Sequence, residues 1–102
     1  MSQVVIHNDT VYLSGQVGEP GASVTEQTRS ALAAIEALLA EAGSAKRNIL
    51  SATIWLADMA DFAAVNAIYG ERFAHDPPAR ATVAAAGLPR NVRVEIEAIA
   101  VI

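Results

Sequence analysis

Short β-branched runs alternate with turn residues over the first part of the chain. Val4-Val5-Ile6 precedes Asn8-Asp9, a pair typical of tight hairpin turns, and Val11-Tyr12-Leu13-Ser14 then resumes the extended pattern. We therefore predict a β-hairpin over residues 3–14. Residues 15–21 contain three glycines and one proline, so a loop is predicted there.

The next hydrophobic pattern has the period of a helix. Ser23 and Glu26 fit a capping box, in which each side chain satisfies a free backbone N–H at the helix start. Gly43 can adopt the left-handed conformation that ends many helices. We predict a helix over residues 24–42, whose inward face recurs at steps of four and three: Thr28, Leu32, Ile35, Leu39 and Ala42.

A second helical pattern begins at Asp58 and Asp61, whose negative charges suit the positive end of a helix dipole. Asn66 lies beside its apolar stripe. Pro77-Pro78 cannot continue a helix and leads into an extended segment. The stripe itself has steps of three and four residues: Phe62, Val65, Tyr69 and Phe73.

Three further extended segments are predicted, over residues 48–57, 79–85 and 92–101, with a turn at 87–91. Because side chains alternate between the two faces of a strand, the first segment has one apolar face. That face comprises Leu50, Ala52, Ile54 and Leu56.

The predicted order of elements is β-β-α-β-α-β-β, in one domain spanning residues 1–102. Each helix has a single apolar stripe, so both can cover the same face of one mixed sheet, which is an α+β fold. The other face is expected to form an assembly interface with pockets and to carry Trp55, Arg80, Thr82, Glu95 and Ile99.

Composition favours self-association. Hydrophobic residues make up 53% of the 102 residues and charged residues 18%, and the mean hydropathy is +0.32. A small domain has too little interior to bury all of this apolar surface, so a homo-oligomer is predicted. The alternative is that abundant alanine raises the hydrophobic content without creating an adhesive patch.

Charge and cysteine content exclude several classes of function. The net charge of -4 disfavours binding to phosphate backbones, so no nucleic-acid partner is expected. The absence of cysteine excludes disulfides, a thiolate nucleophile and thiolate metal sites. The N-terminal residues lack the pattern of a secretory signal, and no apolar run is long enough for a membrane span. We therefore expect a soluble, cytoplasmic protein.

The best candidate for chemistry is Arg80, because its planar, permanently charged guanidinium matches a carboxylate with two hydrogen bonds. If the segments around residues 80 and 95 pair as a hairpin, Arg80 and Glu95 can come together on one face. Glu97 is an equal alternative by spacing. A structural salt bridge between the strands explains the same residues without a site. Ser14-Gly15-Gln16 could supply polar groups to a ligand, or could simply be a strand exit.

Other arrangements are weaker. Ser14 lacks the G-x-S-x-G context of a nucleophile elbow. His7 and His75 have no second histidine or carboxylate at ligand spacing, so no metal site is predicted. The remaining arginines have no interleaved aromatic residues that would indicate RNA or DNA binding.

Several stretches together resemble the RidA/YjgF family of enamine/imine deaminases over nearly the whole chain. They occur in this order and spacing: Val11-Tyr12-Leu13-Ser14-Gly15-Gln16, Glu26-Gln27-Thr28-Arg29, Leu38-Leu39-Ala40-Glu41-Ala42-Gly43-Ser44, Asp61-Phe62-Ala63-Ala64-Val65-Asn66, Pro77-Pro78-Ala79-Arg80, Leu88-Pro89 and Val94-Glu95-Ile96-Glu97-Ala98-Ile99-Ala100.

This resemblance implies a chorismate-mutase-like fold, assembled as a homotrimer around a central sheet barrel with a pocket at each subunit interface. It implies that Arg80 binds the carboxylate of 2-iminobutyrate or 2-iminopropionate, and that Glu95 rather than Glu97 holds the attacking water. Pocket-lining roles fall on Ser14, Gly15, Gln16, Asn66 and Thr82. No metal or cofactor is implied.

The chain departs from the family pattern in three places. The usual N-terminal segment with a pocket tyrosine is not seen, Thr82 stands where well-known members have cysteine, and residues 83–89 lack the usual Glu and Arg. The alternative function is therefore a non-catalytic trimeric protein that binds a small carboxylated metabolite. Ribonuclease activity, ascribed to some relatives, has little support from a net charge of -4.

Overall fold

A computed structural model describes all 102 residues of the chain. Two helices and six strands account for most of it, and single 3₁₀ turns precede β4 and α2 and lie before β6. In chain order the elements are β1 (Val4–His7), β2 (Thr10–Leu13), β3 (Gln16–Val17), α1 (Val24–Glu41), β4 (Ile49–Leu56), α2 (Phe62–Arg72), β5 (Ala79–Ala84) and β6 (Val94–Val101).

Local sequence signals account for the ends of α1. The Ser23 hydroxyl accepts a hydrogen bond from the Glu26 backbone N–H at 3.1 Å, which is half of the predicted capping box. Gly43 has a φ of +82°, so the chain turns out of the helix there. The predicted helix 24–42 is therefore confirmed to within one residue.

The strands form a single mixed sheet in the order β1-β2-β6-β4-β5, and the short β3 also pairs with β6. The predicted hairpin is confirmed as β1 and β2, and Asn8 and Asp9 have φ values of 49° and 63° in its turn. All pairings are antiparallel except β4–β5, which is parallel. This exception follows from the β4-α2-β5 order, because a helical crossover returns the chain in the same direction.

Both helices pack against one face of the sheet, as the α+β prediction required. The core between them is formed by side chains from β2, β4, β6 and both helices, with Val11, Ile35, Leu39, Leu56, Val94 and Ile96 among the least exposed. Two positions of the predicted apolar faces, Phe62 and Leu50, are exposed. Leu50 is 53% exposed because an irregularity in the β4–β6 register between Ile49 and Ser51 shifts the alternation, and Ile49 is buried instead.

A group of partly buried hydrogen bonds connects the starts of the two helices to Arg93, the residue before β6. The carboxylate of Asp61, which is buried, accepts from Nε of Arg93 at 3.0 Å and also from Nη2. Gln27, also buried, accepts from the Arg93 backbone N–H at 2.8 Å and donates to the Ala22 carbonyl at 2.8 Å. These bonds satisfy polar groups inside the domain and fix the approach to β6.

Neither helix is both long enough and apolar enough to cross a lipid bilayer.

Candidate functional site

Arg80 lies on β5, one of the two edge strands of the sheet, and its side chain is on the helix-covered side. Its register partner is Ala52, a buried residue of β4, and the next same-face pair is Thr82 with Ile54. The hairpin considered for residues 80 and 95 is therefore wrong, because β4 lies between β5 and β6. The assignment of Arg80 and Thr82 to the uncovered face is also wrong, because their register partners Ala52 and Ile54 point into the core beneath the helices.

The Arg80 guanidinium is held against α2. Nη1 donates to Oδ1 of Asn66 at 2.8 Å. The guanidinium carbon lies 4.8 Å from the centre of the Tyr69 ring and 5.9 Å from that of Phe62. Both distances are within the range of cation–π attraction. Asn66 is thus beside Arg80, as a shared site requires.

Arg80 has no carboxylate partner within the chain. The ion pairs of this protein join Lys46 and Arg72 to Glu36, and Arg93 to Asp61. The alternative of a structural salt bridge to Glu95 or Glu97 is therefore wrong within one chain. Arg80 instead presents a positioned, uncompensated positive charge near the free edge of the sheet.

Two hydroxyl groups on α2 and β5 have no hydrogen-bond partner, although both oxygen atoms are buried: Oη of Tyr69 and Oγ1 of Thr82. Burial raises the pKa of the Tyr69 phenol above its ordinary value of 10.0, and the positive charge of Arg80 opposes that rise only in part. Tyr69 is therefore neutral at physiological pH and does not neutralise Arg80.

Glu95 lies on the opposite, uncovered face of the sheet, packed against Gly15. It pairs with Trp55 on β4 and with Val17 on β3. A Cβ atom built on Gly15 would lie 2.6 Å from Cδ of Glu95, so only glycine leaves room for this carboxyl group. Gly15 therefore lies in close contact with the Glu95 side chain, and its pocket-lining role stays a prediction.

Ser14 and Gln16 flank this contact and bond to each other. The Gln16 amide, largely buried, donates to the Ser14 carbonyl at 3.1 Å and to the Ser14 hydroxyl at 3.3 Å. The Ser14 backbone N–H donates to the Gln3 carbonyl at 3.0 Å. These bonds shape the strand exit around Gly15 and so help to fix the place of Glu95.

Glu97 has a different environment from Glu95, although both point to the uncovered face. Glu97 pairs with Thr53 and lines a cavity of about 180 Å³ between β2, β6 and β4. The other walls of this cavity include Tyr12, Ser51 and Ile99.

Arg80 and Glu95 do not converge within one chain. Arg80 on β5 pairs with Ala52 on β4, and Ala52 pairs with Ala98 on β6. Glu95 lies three residues before Ala98 on the same strand. With about 4.8 Å between strands and about 3.3 Å per residue, their Cα atoms are about 14 Å apart, and the side chains leave opposite faces. None of the four cavities of the chain includes either residue.

Sequence reasoning missed the aromatic surroundings of Arg80, because it assigned Tyr69 only to the core. The signal was present in the spacing of Phe62, Asn66 and Tyr69, which places all three on one side of a helix. The spacing alone does not show which strand this side of the helix faces.

The model of the Endoribonuclease L-PSP family matches residues 1–102, which is the whole chain. The chain belongs to this family, the YjgF/RidA proteins. A 2-iminobutanoate/2-iminopropanoate deaminase of Capra hircus is 45% identical over 98% of this chain and 78% of its own length. A RutC family protein of Haemophilus influenzae is 46% identical over 98% of this chain and 89% of its own length.

Solved structures of the family share the fold. A YjgF family member from Neisseria meningitidis matches with a TM-score of 0.93 and 42% identity, over 99% of this chain and 86% of that one. Yeast Mmf1 matches with a TM-score of 0.94 and 37% identity, over the same shares of the two chains. The recognition of the RidA/YjgF family from sequence is therefore confirmed.

Proposed function

We propose that this protein hydrolyses reactive 2-imino acids, and the enamines in equilibrium with them, to 2-keto acids and ammonia. The observation that carries the proposal is Arg80: a guanidinium held by Asn66 and two aromatic rings, with no carboxylate of its own chain to neutralise it. A guanidinium held in this way can bind a ligand carboxylate through two hydrogen bonds. The deaminase relatives support the choice of substrate class.

In the proposed reaction, Arg80 binds the substrate carboxylate through the N–H groups that Asn66 leaves free. Glu95 orients a water molecule and accepts its proton as the water oxygen adds to the C=N carbon. Glu95 passes this proton to the imine nitrogen, which gives a tetrahedral intermediate with one hydroxyl and one amino group. The hydroxyl proton then moves to the nitrogen through Glu95, so that the C–N bond breaks, ammonia leaves and the C=O of the keto acid forms. The backbone N–H groups near Gly15 and Thr82 are the proposed donors to developing charge. The chemistry requires only these groups and water.

The separation of Arg80 and Glu95 leads us to propose that each site is shared between two subunits. One subunit contributes Arg80 from the edge of its sheet, and a neighbour contributes Glu95 beside Gly15. A homotrimer with three equivalent interfaces, the assembly that the family resemblance implies, provides three such sites by symmetry. It also covers exposed apolar side chains of the uncovered face, such as Tyr12, Val83 and Ile99.

A coupled assay tests the proposal. A dehydratase generates 2-aminoacrylate, and the rate of keto-acid release above the spontaneous rate is compared for wild type, Arg80→Ala and Arg29→Ala. Arg29 is an exposed residue of α1, so its substitution controls for the loss of one positive charge. We expect Arg80→Ala to lose about 10²-fold or more, because two charge-assisted hydrogen bonds disappear. Equal rates for Arg80→Ala and wild type would refute the role of Arg80.

A second candidate, a non-catalytic binder of carboxylated metabolites, uses the same Arg80 and is favoured by the departures at Thr82 and residues 83–89. Tight binding of a keto acid without turnover of the imine would favour it. We do not propose RNA cleavage, because the net charge of -4 opposes RNA binding. Cytoplasmic localisation stays a prediction.

A further inference from the structure

The group on which Arg80 rests is the ring of Tyr69, which the reaction proposed above does not use. Tyr69 is only 4% exposed, and its ring centre lies 4.5 Å from that of Phe73 at an angle of 32°. A ring that is buried and packed in this way cannot turn without disturbing the core. It is therefore a fixed surface beside the Arg80 guanidinium.

The contact with Tyr69 leaves most N–H groups of Arg80 without a hydrogen-bond partner in the chain. The Arg80 guanidinium carbon lies 4.8 Å from the centre of the Tyr69 ring, and cation–π attraction at this distance does not require any of the five N–H groups as a hydrogen-bond donor. Asn66 accepts a hydrogen bond from Nη1 at 2.8 Å and restrains that end of the guanidinium. The remaining N–H groups stay available for a carboxylate.

The Tyr69 hydroxyl contributes no hydrogen bond to this arrangement. Since burial also keeps the phenol neutral, the ring attracts Arg80 through its π face and not through a phenolate charge. Phe62, 37% exposed and 5.9 Å from the guanidinium carbon, adds a weaker second contact.

We propose that Tyr69 is a positioning residue, whose buried aromatic face sets the orientation in which Arg80 meets the substrate carboxylate. This inference rests on the proposed function, since it assumes that Arg80 binds a carboxylate. It predicts that the aromatic face of residue 69 matters for ligand binding and that the hydroxyl does not.

The first test measures binding of 2-oxobutanoate, the product-like keto acid, by titration calorimetry, together with KM and kcat. Replacing the ring, in Tyr69→Leu, should weaken 2-oxobutanoate binding and raise KM by about 2- to 30-fold, the range for a cation–π contact. We expect kcat to change less, because the lost interaction is made in both ground and transition states. Tyr69→Phe should stay within about twofold of wild type. Leu39→Ala, a core variant of α1, controls for general loosening of the core.

A second series keeps the shape of the ring. Phenylalanine and its 4-fluoro, 3,5-difluoro and 3,4,5-trifluoro derivatives, incorporated at position 69, withdraw electrons from the π face in steps. The Kd for 2-oxobutanoate should rise with each fluorine. This series remains informative if Tyr69→Leu fails to fold.

The outcomes separate the two proposals. If wild type neither binds 2-oxobutanoate nor turns over the imine, the proposed function fails. If wild type binds and the fluorinated series is flat, or Tyr69→Phe loses as much affinity as Tyr69→Leu, the role given to the Tyr69 ring is wrong.

Discussion

Adding one methyl group at Gly15 should disable the site and leave the fold intact. In Gly15→Ala, the new Cβ would lie 2.6 Å from Cδ and 2.8 Å from Cγ of Glu95. Carbon atoms are in ordinary contact at about 3.5–4.0 Å, so the Glu95 carboxyl group must retreat by about 1 Å. Its side chain is partly exposed and can turn away at little cost.

Displacement of a catalytic group by about 1 Å can reduce the rate by about 10²-fold, which is about 2.7 kcal/mol of activation free energy. The free energy of unfolding should change by less than about 1 kcal/mol, because alanine also restricts the unfolded chain. We therefore expect a large loss of kcat with only a small change in Tm.

The coupled keto-acid assay and thermal unfolding together measure these two effects. Gly70→Ala is the matched control, because a Cβ at this position of α2 has no atom within 4 Å. It should keep full activity and gain about 0.5–1 kcal/mol of stability from better helix propensity. A folded Gly15→Ala protein with wild-type kcat would contradict the assignment of Glu95 as the group that orients water.

Three further predictions concern stability. Asp61→Asn should lower the free energy of unfolding by about 1–2 kcal/mol, since it leaves Arg93 without its charged partner, and chemical denaturation measures this loss. Thr82→Val should raise Tm, because it removes a buried hydroxyl group that has no hydrogen-bond partner. A lower Tm would show that this hydroxyl group makes a hydrogen bond in solution. Burial raises the pKa of Tyr69 in the folded state, so the associated stability is fully present below pH 10.0 and is lost as the pH rises through the folded-state pKa. The free energy of unfolding of Tyr69→Phe should therefore fall less steeply above pH 10.0 than that of wild type. Parallel alkaline unfolding curves for the two proteins would contradict this.

Local signals in the sequence were sufficient for most elements. The capping box at Ser23, the turn at Asn8-Asp9 and the alternation along residues 48–57 each report interactions between near neighbours, and each predicted element is present. One exception within an element is Leu50, because alternation alone cannot reveal the irregular register beside Ile49.

The placement of Arg80 could not be read in the same way. Residues 79–84 are mostly small, so the strand has no apolar face that would indicate which side meets the core. The segments around residues 80 and 95 were considered as partners because they are close in sequence. The β4-α2-β5 order was the better guide, since it indicates a parallel pair with β4. The contact of Glu95 with Gly15 joins residues far apart in sequence, and no local pattern predicts it.

Each proposed site combines Arg80 of one subunit with Glu95 of another. Arg80→Ala and Glu95→Gln chains, each inactive alone, can be mixed by co-expression and assayed for keto-acid release. If equal amounts assemble at random into rings, about one quarter of the interfaces pair an intact Arg80 with an intact Glu95. We predict recovery of about that fraction of wild-type activity. A mixed assembly no more active than either parent would contradict the shared site.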